Sequence, residues 1–372
     1  MTLTQEQFLW LLRAGLRGFA EGRFPVSAGE QSRGPETVPD WNGIFSLSRE
    51  QGVLLLVQDG LEVLLEAEPQ WAQEEKALPP MTLLKWQRFR RKTARTHAQL
   101  ESLMGTCVGR LQSEGLHPVV LKGEPLAALY LHPGSRSCGD IDLWVPQPEW
   151  KRAAERLSGF LVPGESNGHH RAYRSGFNEV ELHWQPLEME NPFRQRAFRR
   201  FAAQELTSHI QSCSLPLSGN PVPVPSGEFN ALYVLSHAFH HFIEGGVGLR
   251  QLCDWVKVLE RVSFRENDLS ALQGRLQKFG LMQAWQVFGY LAVHALGLPE
   301  AQLPFYRTEA GEDAGKVLAL ILSEGNFGRF GKGRFRRLWA RASVFPVDTA
   351  FYLPRWAIQA FRRHFRRLFR RK

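Results

Sequence analysis

Gly139-Asp140-Ile141-Asp142-Leu143-Trp144-Val145 is the stretch on which the reading of this chain turns. Side chains alternate across a strand, so Asp140 and Asp142 share one face while Ile141, Leu143 and Val145 share the other. The apolar face can pack on a helix. Two ionised carboxylates side by side repel, and burying them without a counter-ion is costly. The pattern makes sense if a divalent cation sits between them, and oxygen-only ligands at this spacing suit magnesium. The alternative is a pair of solvent-facing acids on an edge strand.

A second strand repeats the logic. In Asn178-Glu179-Val180-Glu181-Leu182-His183-Trp184, residues Glu179, Glu181 and His183 face one way and Val180, Leu182 and Trp184 the other. If this strand lies near the first, Glu181 supplies a third carboxylate. Three carboxylates can hold two metal ions about 4 Å apart, magnesium with manganese as substitute, which is the equipment of phosphoryl or nucleotidyl transfer. His183 could orient a carboxylate or assist proton transfer; a half-buried strand histidine is the other reading.

Working outward, Lys122-Gly123 turns from a short apolar strand into a helix, and Arg136 lies just before the acid pair. A helix start after glycine offers free N–H groups to phosphate, although a plain strand-to-helix turn gives the same residues. Further along, His237, His240 and His241 share a helix face. They either line a cleft or half-face solvent while Phe239 and Phe242 pack. Arg250 and Asp254, one turn apart, fit an i, i+4 ion pair as well as a phosphate contact. His169-His170 sits in a glycine-containing loop, equally suited to substrate contact or to plain surface.

The surroundings divide the chain into four parts. Residues 1–116 read as helical, with helices over 4–22, 43–67 and 81–115 separated by Gly-, Ser- and Pro-rich breaks. Residues 117–225 read as an α/β core, with strands at 117–122, 139–145, 171–174 and 179–184 and helices at 124–131 and 150–159. Residues 226–345 return to helix, and 346–372 form a basic amphipathic helix. The fold class is therefore α+β, a small mixed sheet flanked by helices.

Composition agrees with a folded chain: 372 residues, 43% hydrophobic, with 11 Trp and 25 Phe to build cores. The opening segment reads as an amphipathic helix rather than a signal peptide, and no apolar run is long enough to span a bilayer. Cys107, Cys138, Cys213 and Cys253 are scattered without a CxxC pair, as expected of reduced thiols in a cytoplasmic protein. Much of the net charge of +9 sits at the end of the chain. There Ile358, Phe361, Phe365, Leu368 and Phe369 form a stripe flanked by Arg362, Arg363, Arg366, Arg367, Arg370, Arg371 and Lys372. Such a helix suits an anionic membrane surface, an acidic partner or nucleic acid, or packing against its own domain.

Together, Val119 to Tyr130, Arg136 and Gly139 to Val145 resemble a poorly characterised bacterial nucleotidyltransferase family of the DNA polymerase β-like superfamily. The superfamily pattern is a glycine turn, a helix, a strand with Asp-x-Asp, and a third acid on a later strand. This sequence has Lys122-Gly123 in place of the usual Gly-Gly or Gly-Ser, and Glu181 where an Asp is common. The likeness continues loosely through His237–His241, Leu249–Asp254 and Gly325–Gly328. It implies magnesium-dependent transfer of a nucleotide from a nucleoside triphosphate, ATP among them, to a hydroxyl acceptor on a small molecule, peptide, protein or RNA. Asp140, Asp142 and Glu181 would be the catalytic, metal-holding acids. Lys122, Gly123, Arg136, His183, His237 and Arg250 would contact the substrate or its phosphates. A degenerate member that binds nucleotide or nucleic acid without turnover is the alternative.

Overall fold

Two hydrophobic cores organise the chain, one beneath a sheet and one among helices. The structure is a computed structural model that describes residues 1–18, 37–69, 77–166, 168–328 and 334–354. The stretch 355–372, with its aromatic stripe and arginines, lies outside the described residues.

In chain order the described helices and strands are α1 (Leu3–Arg17), α2 (Trp41–Glu50), α3 (Leu54–Ala67), α4 (Pro80–Gln112), β1 (Val119–Val120), α5 (Glu124–Ala127), β2 (Asp140–Trp144), α6 (Trp150–Ser158), β3 (Val162–Ser166), β4 (His170–Ser175), β5 (Asn178–His183), α7 (Pro192–Ser208), β6 (Ile210–Ser214), β7 (Pro221–Pro225), α8 (Gly227–Glu244), α9 (Leu249–Leu259), α10 (Glu266–Phe279), α11 (Met282–His294), α12 (Gly311–Glu324) and α13 (Arg334–Val344). The fold is α+β. The main sheet has the order β1-β2-β5-β4-β3, and β6 with β7 makes a separate hairpin. Only β2 and β5 pair in parallel, which the long connection through α6, β3 and β4 allows.

Alternation fixes which face of this sheet is dry. Ile141, Leu143, Val145, Tyr173, Val180 and Leu182 pack with Leu100, Met104, Cys107, Val108 and Leu111 of α4 and with Ala153, Ala154 and Leu157 of α6. A register slip of one residue would drive Asp142 and Glu181 into this cluster, so burial of the apolar set locks the acids onto the opposite face. The second half of α4 is thus a wall of the α/β unit, although it precedes residue 117. The N-terminal helices, for their part, share a core with the later ones: Phe8, Leu12, Leu56 and Val57 join Phe242, Trp255, Trp285, Phe288 and Ile321.

The helix expected over 43–67 is two helices. Gly52 adopts φ +72° between them, and the buried Gln51 ties the break down. Its amide donates to the Ile321 carbonyl at 2.9 Å and its Oε1 accepts from Leu249 N–H at 3.1 Å. The helix expected over 124–131 shrinks to the single turn α5, and the strand over 117–122 to two residues.

α1 and α3 meet backbone to backbone. A Cβ added at Gly15 would stand 1.8 Å from the Leu56 carbonyl oxygen, and one at Gly60 1.9 Å from that of Leu11. Gly→Ala inside an open helix normally stabilises. Here Gly15→Ala or Gly60→Ala should instead destabilise by about 1–3 kcal/mol through overpacking. Urea denaturation reads the sign directly, and a gain in stability would contradict this packing.

Candidate active site

The parallel pairing of β2 with β5 sets Asp140 opposite Glu179, Asp142 opposite Glu181 and Trp144 opposite His183. Acids from two strands therefore stand side by side on one face. His183 joins them: its Nε2 lies 3.0 Å from Asp142 Oδ1 and 3.2 Å from Glu181 Oε2. Ligand atoms of Asp142, Glu181 and His183 all fall within 4.8 Å of one another. Asp142 is fully buried, whereas the Asp140 side chain is 43% exposed at the cavity mouth.

β1 and the turn after it deliver the balancing charge. Leu121 N–H donates to the Asp142 carbonyl at 3.0 Å, which carries the chain across β2 and points Lys122 at the acids. Its Nζ stands 3.1 Å from Asp142 Oδ2 and 3.9 Å from Asp140 Oδ2. Gly123 then turns with φ +84°, and a Cβ there would come 3.3 Å from the Asp140 carbonyl. Burial opposes charge on Lys122, but the carboxylates of Asp142 and Asp140 outweigh it and hold the ammonium well above its ordinary pKa. The same ammonium donates to His237 Nε2 at 3.2 Å. Burial first, and then the Lys122 charge, push His237 far below the usual histidine range, so it is a neutral acceptor. These groups open onto a cavity of about 620 Å³, walled on one side by Tyr233, His237, His240 and His241 of α8 and on the other by Arg250, Gly123 and Asp140. That volume suits a nucleotide-sized ligand.

Residues 37–297, most of the chain, match the family described as uncharacterised nucleotidyltransferase. The chain belongs to that family. Membership makes it a transferase of the nucleotidyl class, and the match covers every acid of the site. No curated protein matches the sequence. Among solved structures, an antigenic nucleotidyltransferase-like protein from Paracoccidioides brasiliensis is similar at 17% identity and a TM-score of 0.33, over 54% of this chain and 92% of that one. So distant a likeness carries no argument about residues. No helix among the described residues of this nucleotidyltransferase is long and apolar enough to cross a membrane.

Several residues expected at substrate phosphates are placed otherwise. Arg136 is 3% exposed, and its Nε and Nη2 donate to Asp254 Oδ1 and Oδ2 at 2.6 and 2.7 Å. Tyr130 Oη donates to the same carboxylate at 2.7 Å. Arg136 touches the cavity wall but is a structural cation, pinning the loop before β2 to α9. Asp254 consequently pairs with Arg136 rather than with Arg250 one turn away. Arg250 donates Nη1 to the Ser137 carbonyl at 2.8 Å, while its buried Nε has no hydrogen bond. His183 lines the cavity, with its Nε2 turned to the Asp142 and Glu181 carboxylates. His170, which the sequence left between substrate contact and plain surface, lines the cavity and approaches Glu181 Oε1 at 3.5 Å. Tyr233 lines the cavity without any motif to announce it; only its position one turn before His237 on α8 could have done so.

The charges predict a pH profile for the nucleotidyltransferase held in chelator. Burial pulls the His183 pKa down, but hydrogen bonds and charge from Asp142 and Glu181 raise it from 6.5 to about 9. Its stabilising contribution is present in full below the unfolded value of 6.5 and is lost as pH rises through 9. Burial pushes Glu181 up, but His183, Lys122 and His170 bring it from 4.5 to about 2, so its share is lost only as pH falls through 2. His97, raised to about 10 by Cys138 and Glu124 against burial, adds to the alkaline limb. His183→Gln should flatten that limb without moving the acidic one before pH 4.5, as melting temperature against pH would record.

Proposed function

We propose that this nucleotidyltransferase moves a nucleotide from a nucleoside triphosphate to a hydroxyl acceptor, and that it needs magnesium to do so. The observation that carries the reading is the parallel register Asp142 to Glu181, which gathers acids from two strands at the floor of one cavity.

The donor set fits the metal. Asp140, Asp142 and Glu181 offer carboxylate oxygens of the kind magnesium takes. Asp142 Oδ2 is buried without an aligned hydrogen bond, with the Lys122 ammonium 3.1 Å away, a position that calls for positive charge. When bound there, magnesium would neutralise phosphate charge and acidify the attacking hydroxyl.

The chain's own groups do the rest. His183 fixes the orientation of the Asp142 and Glu181 carboxylates through one imidazole nitrogen. Glu181, with a pKa of about 2, stays ionised and contributes charge rather than a reservoir for protons. Lys122 keeps the acids together in the absence of substrate, and its ammonium is placed to turn toward a triphosphate. Neutral His237 supplies the acceptor that holds Nζ during that change. Tyr233 and the α8 histidines wall the cavity on one side of the site, and the low polarity around the buried Asp142 strengthens its electrostatic contacts.

The test incubates the full chain with each labelled nucleoside triphosphate, cell extract, and either magnesium or chelator. Label transferred to an acceptor only with magnesium supports the reading. Nucleotide bound without any transfer under either condition would instead assign a binding protein.

A further inference from the structure

Beside the acidic centre lies a second set of ligand-bearing side chains that the transfer chemistry does not use. His97 of α4, Glu124 of α5 and Cys138 in the loop before β2 each bring one ligand atom to within 4.8 Å of the others. His97 and Glu124 are 3% and 1% exposed. His97 Nδ1 meets Glu124 Oε2 at 2.7 Å, Glu124 Oε1 is buried without a hydrogen bond, and His97 Nε2 has no aligned hydrogen bond although the Cys138 thiol acts on the ring. Buried polar atoms are ordinarily paired, so an orphaned carboxylate oxygen beside an imidazole and a thiol that lack an aligned bond points to a ligand that takes all three.

We propose that His97, Glu124 and Cys138 form a zinc site, separate from the magnesium-type acidic centre. The donor set selects the metal. One imidazole nitrogen, one carboxylate oxygen and one thiolate sulfur suit zinc, whereas magnesium and calcium take oxygen. The thiolate and carboxylate carry two negative charges to match the cation. Arg136 Nη1 donates to Cys138 Sγ at 2.8 Å, the kind of outer contact that orients a metal-bound sulfur. Zinc entering here would displace the proton that His97 and Glu124 now share. Three protein ligands leave a fourth position for water.

The consequence follows from where the ligands sit in the chain. Glu124 comes two residues after Lys122, and Cys138 two residues before Asp140. A metal bridging them to α4 would clamp the turn that presents Lys122 to the start of the strand that presents Asp140. The zinc would be a positioning device for the acidic centre.

The experiment uses the full chain purified without chelator, its zinc content measured by elemental mass spectrometry, followed by replacement of zinc with cobalt(II). About one zinc per chain is expected, together with a thiolate-to-cobalt charge-transfer band. Both should vanish in Cys138→Ser and persist in Cys213→Ser. They should also persist in Glu181→Gln, which places the zinc outside the acidic centre. A third measurement needs no variant: Cys138 in the unaltered chain should resist iodoacetamide and become labelled once chelator removes the metal, as peptide mass spectrometry would show. The proposal is overturned if added zinc is not retained, if the cobalt spectrum has no thiolate band, or if Cys138 labels equally with and without chelator.

Discussion

Asp142→Asn is expected to cut nucleotide transfer by about 10²–10³-fold or more, the scale seen when one preorganised electrostatic group is lost. The amide keeps the size of the carboxylate and loses the charge that pairs with Lys122 and that the proposed magnesium would need. The substitution also has a structural cost. Lys122 loses its nearest counter-ion, and His183 loses one of its two carboxylate partners. Breaking a fully buried pair by removing one member costs roughly 3–5 kcal/mol, and the partly exposed Lys122 side chain should bring this case below that range. The double variant Asp142→Asn with Lys122→Met separates the two effects. Its melting temperature should recover while transfer stays lost. Near-normal transfer in a folded Asp142→Asn protein would remove Asp142 from the chemistry.

Asp254→Asn should destabilise the protein by about 3–5 kcal/mol, because it leaves the buried Arg136 guanidinium without its counter-ion. Both oxygens of Asp254 are engaged, one by Arg136 and Tyr130 together and the other by Arg136 alone. The network joins the loop carrying Ser135 to Cys138 with α9, and through that loop fixes where β2 begins. Chemical denaturation measures the effect. An Arg136 that served mainly as a phosphate ligand would behave differently: its removal would raise KM for the triphosphate and leave the denaturation midpoint in place. Replacing Arg136 and Asp254 together with apolar residues of similar size should restore part of the loss, since no charge is then left unpaired.

The part of the fold legible in the sequence is the part with a clean period. β2 and β5 alternate charge and hydrocarbon residue by residue, so their existence, their buried faces and the shared face of Asp140 with Asp142 all follow from the pleat. Their parallel adjacency does not, because pairing between segments forty residues apart is a tertiary fact. β7 was hidden by Pro221, Pro223 and Pro225, which ordinarily argue against a strand. It is tolerated in a two-stranded hairpin whose partner β6 is largely exposed. α7 was hidden for a different reason: its buried apolar stripe is only Phe198, Ala202 and Leu206, interrupted by the buried Glu205 and set amid arginines. At the site, charge type was readable but charge pairing was not. Arg136 and Lys122 look alike as cations before the acid pair. One is consumed by Asp254, an acid more than a hundred residues away, and the other faces Asp140 and Asp142.

The most direct test of the account is the position of a bound metal. Crystals of the full chain would be soaked with manganese and a non-hydrolysable nucleoside triphosphate, and the anomalous scattering of manganese recorded. The account predicts an anomalous peak within coordinating distance of Asp142 and Glu181, with the triphosphate in the cavity beneath α8 and Lys122 drawn toward it. A manganese peak elsewhere, or triphosphate bound with these acids untouched and Lys122 still paired to Asp142, would contradict it.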